Sequence, residues 1–448
     1  MQDREARVVI VGAGFGGLTA AKTLAKAGVP FVLIDRRNHH LFQPLLYQVA
    51  TAALAPADIA VPIRAVLSPG RQKSHIEILM DEVTGIDRTA RTISTQGGAT
   101  IPFSHLILAT GSDYAYFGNE DRWAPHAPAL KSLDDALNIR RRVLLAFERA
   151  ETTSNVALRQ RLMTFVVIGG GPTGVETAGA LAELARATLA RDFSNIDPRT
   201  ARVVLVEALD TLLNAYPRRL GAYTRKKLEQ MGVEVITGRP VEDITTDGVL
   251  LEDRSILTAN VFWCAGVKAT PVGEWLGVET ERNGAVRVGP DLRLEDDPHI
   301  FVIGDASSVD DESGDPLPAL APVAKQQGRY AAETIIAEAR NHPAPDPFRY
   351  RDWGTMATIG RAAAVGKFGK LEVTGFPAWL LWGAVHVAYL VGFRNRLSVM
   401  LNWLWAWVSY AKGSRLITGP DEAAIDALDS GRAVEAELDK TVTNLEER

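Results

Sequence analysis

Two stretches of the chain share one pattern: a short apolar run, a glycine-rich turn, and then apolar residues at helical spacing. The first run is RVVIVG at 7–12, followed by a helix expected over 16–27 and by a second apolar run, FVLID, at 31–35. The other begins at Thr164 with TFVVIGG and leads into a helix expected over about 173–190. Apolar runs of this length, alternating with helices, predict an α/β fold built on parallel sheets.

The glycine-rich turns point to a ligand because each one follows a strand and precedes a helix. In GAGFGG and GGGPTG the first glycine permits a tight turn, the second lets the backbone approach a pyrophosphate, and the third lets the helix pack on its strand. The pyrophosphate then lies at a helix N-terminus, where free N–H groups favour negative charge. The sequence therefore predicts two Rossmann-like dinucleotide sites, formed by Gly12, Gly14 and Gly17 and by Gly169, Gly171 and Gly174.

An acidic residue ends the strand that follows each predicted helix. Asp35 comes about 20 residues after the first glycines, the spacing at which a carboxylate accepts hydrogen bonds from ribose hydroxyls. Glu207, in RVVLVEA, comes 33 residues after Gly174, and the polar insertion at 191–201 explains the excess. No Arg or Lys follows Glu207 until Arg218, so we expect the second site to bind NADH rather than NADPH.

Composition narrows the class of protein. The 448 residues are 46% hydrophobic and 23% charged, which is typical of a globular chain of two to three domains. A net charge of -5 gives no basic excess for nucleic-acid binding. Cys264 is the only cysteine, so an intramolecular disulfide, a four-cysteine zinc site and an iron–sulfur cluster are excluded, and no metal site is predicted. The first residues lack a basic-then-apolar signal segment, so we expect a cytoplasmic catalytic body.

The C-terminal region has an apolar pattern of a different kind. Between Phe376 and Phe393 there is no Asp, Glu, Lys or Arg, and 18 helical residues at ~1.5 Å each reach ~27 Å, marginal for a ~30 Å hydrocarbon core. Five of the nine tryptophans fall nearby, at 379, 382, 403, 405 and 407, as at a bilayer interface. A second predicted helix has Leu397, Met400, Leu401, Leu404, Trp407 and Val408 on one face and Asn395, Ser398, Asn402 and Ser409 on the other.

This pattern predicts a two-helix interfacial anchor over 376–411. Its basic residues would meet anionic head groups: Arg394, Arg396, Lys412 and Arg415. A transmembrane span and a buried core or dimer interface are the alternatives.

Taken in order along 7–345, these features resemble the two-dinucleotide-binding-domain flavoproteins, which bind FAD in the first fold and NAD(P)H in the second. ATG at 109–111 and GD at 304–305 belong to the same resemblance. It implies that FAD is held by the first three glycines with Asp35, Thr110, Gly111 and Asp305, and NADH by the second three with Glu207, Ala265 and Gly266. The implied domains are a discontinuous FAD-binding domain at 1–115 and 286–345, an NADH-binding domain at 160–285, a C-terminal domain with the anchoring helices at 346–415, and a mobile tail at 416–448.

Further stretches resemble the type II NADH dehydrogenases, the single-subunit NADH:quinone oxidoreductases. They are HHLFQPLLYQVATAALAPADIAVPIR at 39–64, WCAGV at 263–267, LAPVAKQQGRYAAE at 320–333 and MATIGRAAAVG at 356–366. The resemblance places Gln326 and Gln327 beside the flavin ring and the quinone tunnel, and Glu176 close to the nicotinamide. Many members have Ala-Gln where this chain has Ala321 and Pro322. Gln326 could instead stabilise a helix start, and Glu176 could serve only the helix dipole.

The function that the resemblance implies is FAD-dependent oxidation of NADH with two-electron transfer to a membrane quinone, without proton pumping. We expect a peripheral, monotopic enzyme on the cytoplasmic face of the inner (plasma) membrane, and a homodimer is possible. Two alternatives stay open: a soluble NADH-dependent reductase of the ferredoxin or rubredoxin reductase type, and a non-catalytic NADH-binding sensor. The spacing of Lys325, Lys367 and Lys370 does not distinguish them from solvated lysines.

Overall fold

The computed structural model describes residues 7–67, 75–409 and 414–418. Beyond 418, the predicted mobile tail lies outside the described residues. Lys412, one of the basic residues predicted to meet the head groups, lies outside them too.

The strands and helices alternate as the apolar pattern predicts. The strands are β1 (Arg7–Val11), β2 (Phe31–Asp35), β3 (His39–Leu41), β4 (Ala60–Pro62), β5 (Ile76–Met80), β6 (Val83–Asp87), β7 (Thr92–Thr95), β8 (Thr100–Leu108), β9 (Ser112–Tyr114), β10 (Thr164–Ile168), β11 (Arg202–Val206), β12 (Val233–Ile236), β13 (Val241–Thr245), β14 (Gly248–Leu251), β15 (Arg254–Leu257), β16 (Asn260–Trp263), β17 (Val267–Ala269), β18 (Val286–Arg287), β19 (Arg293–Leu294), β20 (Asp297–Val302), β21 (Ser307–Ser308), β22 (Thr355–Gly360), β23 (Ala363–Phe368) and β24 (Leu371–Thr374).

The helices are α1 (Phe15–Ala27), α2 (Leu46–Ala50), α3 (Pro56–Ile59), α4 (Ile63–Leu67), α5 (Glu120–Trp123), α6 (Leu133–Thr152), α7 (Val156–Leu162), α8 (Pro172–Glu183), α9 (Arg218–Gln230), α10 (Val272–Leu276), α11 (Ala321–Ala339), α12 (Gly375–Tyr389) and α13 (Phe393–Ser409). A helix was expected over 173–190. Helix α8 ends earlier, at Glu183, and the chain then forms a π-helical turn, Leu184–Thr188.

The chain forms two compact units. The first is drawn from Met1–Leu41, Ala60–Tyr114 and Val267–Trp353, and the second from Phe42–Ile59, Ala115–Gly266 and Gly354–Arg448. The first glycine fingerprint therefore lies in the first unit and the second fingerprint in the second. The functional domain bounds given above stay predictions, because compactness does not identify a ligand.

The first unit is built on a sheet in the order β19-β20-β8-β1-β2-β5. Parallel pairing aligns Ile10 with Leu33 on one side and with Ile107 on the other, and all three side chains are fully buried. The central positions of β1 and β2 are all apolar and buried, because both faces of the sheet are covered there. Helices α1 and α11 cross so closely that a Cβ on Gly328 would lie 2.1 Å from the carbonyl oxygen of Gly16.

The second unit repeats this arrangement with a four-stranded parallel sheet in the order β12-β11-β10-β16. Two antiparallel three-stranded sheets accompany it, β13-β14-β15 and β22-β23-β24. Helix α8 lies against β22 so tightly that a Cβ on Gly179 would lie 1.8 Å from the carbonyl oxygen of Ile359. The parallel sheet thus fixes the second fingerprint, and the last sheet covers the helix that follows it.

Helices α12 and α13 follow the last sheet and match the predicted helix pair. The chain turns at 390–392, where Gly392 has a positive φ of 89°, so the uncharged run is not one continuous helix. Helix α12 spans 15 residues and buries Trp382. Among the described residues, no helix is both long and apolar enough to cross a membrane.

Candidate nucleotide sites and a buried glutamate

The first glycine fingerprint needs glycine for two different reasons. Gly12 has a positive φ of 96°, and a Cβ on Gly17 would lie 1.8 Å from the Gly12 carbonyl oxygen, so the protein itself excludes side chains at these positions. A Cβ on Gly14 would meet no protein atom within 4 Å. The open space at Gly14 lies at the N-terminus of α1, where a pyrophosphate would bind.

The Asp35 carboxylate ties the end of β2 to this turn. The Ala13 N–H donates to Oδ2 of Asp35 at 2.6 Å, and the Arg37 N–H donates to Oδ1 at 2.7 Å. Burial raises the pKa of Asp35, although these two hydrogen bonds act in the opposite direction. Each oxygen keeps a further lone pair, so the group can also accept a ribose hydroxyl, as predicted.

The first unit also contains the other predicted FAD contacts, which are Thr110, Gly111 and Asp305. Ser112 Oγ donates to Oδ2 of Asp305 at 2.6 Å, and the Oγ1 atoms of Thr110 and Thr270 are 2.5 Å apart. Gly111 has a positive φ of 75°. Ser112 and Thr270 were not predicted from the sequence, because nothing in their spacing marks them.

Gln326 and Gln327 are neighbours in α11, but their side chains form hydrogen bonds with different parts of the first unit. Gln327 is 1% exposed, and its Oε1 accepts the Gly304 N–H at 2.6 Å, which fixes the turn that carries Asp305. The Gln326 side chain pairs with the backbone of Arg351, donating to its carbonyl oxygen at 2.9 Å and accepting its N–H at 3.0 Å. Gln327 therefore supports a predicted cofactor contact, whereas the Gln326 amide holds a backbone segment.

The second fingerprint reproduces the geometry of the first. Gly169 has a positive φ of 110°, and a Cβ on Gly174 would lie 1.8 Å from the Gly169 carbonyl oxygen. Gly171, like Gly14 in the first unit, has no protein atom within 4 Å of an added Cβ. The second turn therefore offers the same open approach to a pyrophosphate, at the N-terminus of α8.

Glu207 occupies the same position in the second unit as Asp35 in the first. The Gly170 N–H donates to Oε2 of Glu207 at 2.5 Å, and the Leu209 N–H donates to Oε1 at 2.8 Å. The 33-residue spacing does not disturb this, because β11 pairs directly with β10 and the insertion lies before β11.

Arg239 is a basic residue near Glu207 that the spacing along the chain did not predict. The Arg239 N–H donates to the Glu207 carbonyl oxygen at 3.2 Å, although Arg239 lies far beyond Arg218 in sequence. Its guanidinium Nε is 3.7 Å from Oδ2 of Asp253, so its charge is already partly paired. The acidic Glu207 still favours a ribose hydroxyl over a 2′-phosphate.

Ala265 and Gly266 follow β16 beside the second turn. A Cβ on Gly169 would lie 2.8 Å from the Ala265 nitrogen, and one on Gly266, where φ is 74°, would lie 2.6 Å from the Phe117 ring. Cys264 lies between the end of β16 and Ala265. Burial raises the pKa of its thiol to about 12, so this thiol stays protonated.

Glu176 is the titratable group whose environment departs most clearly from that of a surface carboxyl. It lies in the first turns of α8, is 9% exposed, and its Oε1 accepts the Thr358 N–H at 3.2 Å. Burial raises the pKa of Glu176 from 4.5 to about 8 and outweighs the hydrogen bond. Two buried phenols, Tyr47 and Tyr216, have raised pKa values through burial and through the nearby Glu176 charge. Glu176 is therefore a neutral acid at pH 7, able to donate a proton.

Both turns fit a dinucleotide, since each has open space at its middle glycine and an acid at the end of the neighbouring strand. Among the described residues, no group of three or more His, Cys, Asp or Glu side chains could hold a metal ion. Lys367 and Lys370 are exposed on and just after β23.

Comparison with known proteins identifies the family. The family model for pyridine nucleotide-disulphide oxidoreductases matches residues 6–328. The type II NADH:quinone oxidoreductase Ndh of Mycobacterium tuberculosis is 43% identical over 429 residues, which cover 93% of this chain and 91% of the relative. This chain belongs to the type II NADH:quinone oxidoreductases. NdhA of the same organism is 42% identical over 428 residues, covering 92% of this chain and 89% of its own. The structure of NDH2 from Plasmodium falciparum in complex with NADH superposes with a TM-score of 0.83 at 18% identity, covering 93% of this chain and all of the other, and shares its fold.

The two open glycines provide a test of the turns. We expect Gly14→Ala to lower the FAD content of the purified protein and Gly171→Ala to raise the apparent Kd for NADH by about tenfold or more, because the added methyl meets the ligand and no protein atom. Absorption spectroscopy and NADH titration measure these two changes. Gly85→Ala is the matched control, since a Cβ there also meets no atom within 4 Å. Normal nucleotide binding by both variants would contradict the assignment.

The titration of Glu176 gives a pH dependence of stability. The unfolded chain releases this proton near pH 4.5 and the folded chain near pH 8, so between these values the unfolded state binds fewer protons and stability falls as pH rises. Glu176→Gln removes this loss, so its melting temperature should gain on that of the unmodified protein from pH 5 to pH 8. Glu229→Gln, on the exposed face of α9, is the control. If the melting temperatures of Glu176→Gln and of the unmodified protein changed with pH in parallel across this range, burial would not be keeping the acid protonated.

Proposed function

We propose that this protein oxidises NADH and reduces a quinone by two electrons, with FAD bound in the first unit. The observation that carries the proposal is the matched pair of nucleotide turns in a chain of the type II family. FAD, when held by the residues of the first turn, would supply the two-electron redox chemistry that links NADH oxidation to quinone reduction. The overall reaction, NADH + H⁺ + quinone → NAD⁺ + quinol, consumes one proton in addition to the hydride.

The side chains named above have separate tasks in this reaction. Asp35, Asp305 and the first three glycines hold FAD, while Glu207 and the second three glycines hold NADH. Gln327 keeps the Asp305 turn in place through its hydrogen bond to Gly304. Binding and orientation are the main contributions of the protein to hydride transfer.

Glu176 is the residue to which we assign proton delivery. A carboxyl with a pKa of about 8 is protonated at neutral pH, and its pKa is close enough to that pH for the group to give up its proton. A surface glutamate would be ionised at that pH and could not donate. The alternative role, a favourable charge near the N-terminus of α8, requires the ionised form, which burial disfavours.

We further propose that α12 and α13 seat the protein on a membrane surface, as a C-terminal domain over 346–415. In α13 the side chains of Leu397, Met400, Leu401, Leu404 and Val408 are between 45% and 68% exposed. Trp405 and Trp407 are exposed by 65% and 47%. A contiguous apolar surface of this kind is typical of an interaction with lipid or protein, and tryptophan favours the bilayer interface.

The basic residues around this surface differ in their contacts. Arg394 and Arg396 are exposed, and Arg396 Nε donates to the Leu390 carbonyl oxygen at 2.9 Å. Arg415 instead forms an ion pair with Asp192. Head-group contact is therefore assigned to Arg394 and Arg396, on the cytoplasmic leaflet. A homodimer stays a prediction.

The two rival functions are disfavoured on specific grounds. A soluble ferredoxin-type or rubredoxin-type reductase has no use for the exposed apolar face of α13. A sensor that binds nucleotides without turnover has no use for a carboxyl kept protonated by burial.

The reaction is tested by anaerobic reduction. The purified protein should show a flavin absorption spectrum that bleaches when NADH is added and recovers when a ubiquinone or menaquinone analogue follows, with one quinone consumed per NADH. Bleaching without recovery would point to an iron–sulfur protein acceptor and overturn quinone reduction. Absence of bleaching would point to the sensor.

A single charged substitution on α13 tests its proposed contact with the membrane. Leu404→Glu should weaken co-sedimentation with phosphatidylcholine–phosphatidylglycerol vesicles by about tenfold or more, because burying a leucine contributes roughly 1.5–3 kcal/mol. Activity with a water-soluble quinone analogue should be unchanged. Leu257→Glu is the matched control, since Leu257 on β15 is 58% exposed and Leu404 is 61% exposed. Equal vesicle binding by the two variants would remove α13 from the membrane contact.

A further inference from the structure

Helix α13 directs its polar side chains at the protein. The Asn395 side-chain amide donates to the carbonyl oxygens of Ala57 at 2.9 Å and Asp58 at 3.0 Å. Ser398 Oγ donates to Oδ1 of Asp58 at 2.7 Å, and Asn402 Nδ2 donates to Oδ2 at 3.1 Å. Positions 395, 398 and 402 lie on one face of a helix, so this face is bound to α3 by directional contacts.

Asp58 is the centre of these contacts. It is only 7% exposed, and besides the two donors from α13 its Oδ2 accepts the Ala55 N–H at 2.9 Å. A carboxylate withdrawn from water needs such donors, because each unsatisfied lone pair would cost free energy. The carboxylate therefore requires α13 in one particular rotation about its axis.

Two further contacts support the same rotation. Trp403 Nε1 donates to Oε1 of Gln48 at 2.8 Å, and Gln48 Nε2 donates to the Tyr47 hydroxyl at 2.8 Å. Near the C-terminal end of the helix, the Arg361 guanidinium donates to the Trp407 carbonyl oxygen and lies 5.3 Å from the centre of the Trp407 ring. Val399, fully buried, packs between the polar contacts.

The rotation of α13 matters because its apolar face could otherwise pack against the protein body. Phe393 and the seven apolar side chains named above make eight that are exposed on one side of α13. In water, such a helix would lower its free energy by rolling that side onto the protein body. Apolar contacts are not directional and cannot prevent this. Hydrogen bonds to a buried carboxylate can prevent it, since a roll would remove the Ser398 and Asn402 donors and leave Asp58 with the Ala55 N–H alone.

We propose that Asp58 is a positioning residue that fixes the roll of α13 and keeps its apolar face outward before the protein meets a membrane. This proposal rests on the membrane seating proposed above. It adds that the surface is presented by an internal polar contact, here called the Asp58 clamp and defined by Asp58, Asn395, Ser398 and Asn402. Loss of the clamp should weaken access to quinone dissolved in lipid while leaving NADH oxidation by a water-soluble acceptor intact.

The test uses the full-length, FAD-loaded protein and Asp58→Asn, which keeps the shape of the side chain but turns one acceptor into a donor. In the absence of lipid, amide hydrogen exchange over 393–409 should quicken by about tenfold, as expected for a lost hydrogen bond to a charged group. Binding to 3:1 phosphatidylcholine–phosphatidylglycerol vesicles should weaken by a similar factor, and KM for ubiquinone-10 in those vesicles should rise. The rate with ferricyanide should stay unchanged.

The control and the second variant keep the result decisive. Asp243→Asn makes the same charge change in the second unit, at a carboxylate that accepts Trp123 Nε1 at 2.9 Å rather than a group on α13, and should not alter exchange over 393–409. If Asp58→Asn does not fold, Ser398→Ala combined with Asn402→Leu removes the donors instead and should give the same changes.

Two outcomes would overturn the proposal, and a third would overturn the membrane seating on which it rests. Unchanged exchange over 393–409 in the variant that folds would show that the clamp does not hold the helix. Faster exchange with unchanged vesicle binding would show that the roll of α13 does not govern membrane contact. Failure of the unmodified protein to bind vesicles would instead overturn the membrane seating itself, with the exchange result still reporting on the clamp.

Discussion

Both nucleotide turns depend on a helix approaching the preceding turn so closely that no side-chain carbon fits between them. At Gly17 and Gly174 an added Cβ would lie 1.8 Å from the carbonyl oxygen of the first glycine of the same fingerprint. This approach brings the free N–H groups at the start of α1 and α8 to the carboxyl ends of the parallel strands. In each unit, a carboxylate on the neighbouring strand then ties the turn to the sheet. The two sites are built alike because the same steric constraint generates both.

Glu176 shows how burial can override a helix terminus. A carboxylate near a helix N-terminus gains about 0.3–1 kcal/mol from the dipole. A rise in pKa from 4.5 to about 8 corresponds to roughly 5 kcal/mol in the opposite direction. The balance keeps the acid protonated, and Tyr47 and Tyr216 around it stay neutral as well. The position beside the second fingerprint thus holds a protonated carboxyl rather than a charge.

Local pattern predicted the parts of the fold that are decided locally. Strands β1, β2 and β10 and helix α1 fall where the apolar runs and glycines place them, because a buried parallel strand and a glycine-bound helix start leave few alternatives. The π-helical turn at Leu184–Thr188, where α8 ends, has no signature in the spacing of apolar residues. Asp305 and Gln327 are linked through a turn whose partners lie on separate elements, so their hydrogen bonds had no signature in sequence.

Spatial neighbours separated in sequence account for the other differences. Arg218 is the first basic residue after Glu207 along the chain, whereas the Arg239 N–H reaches the Glu207 carbonyl oxygen from the loop after β12. Arg415 was expected to meet head groups and pairs with Asp192, a residue more than 200 positions earlier. Charge pairs of this kind depend on tertiary contacts that periodicity does not contain.

Helix α13 illustrates the limit of an amphipathic pattern most clearly. Periodicity separated the apolar face from the face of Asn395, Ser398 and Asn402, but it could not say which face would meet the protein. The answer depends on Asp58, which lies more than 300 residues earlier and offers a buried carboxylate to the polar face. A helix on the surface of a protein in water normally directs its apolar face at the core. The reversal here follows from the hydrogen bonds between the polar face and Asp58, and it agrees with the membrane seating proposed above.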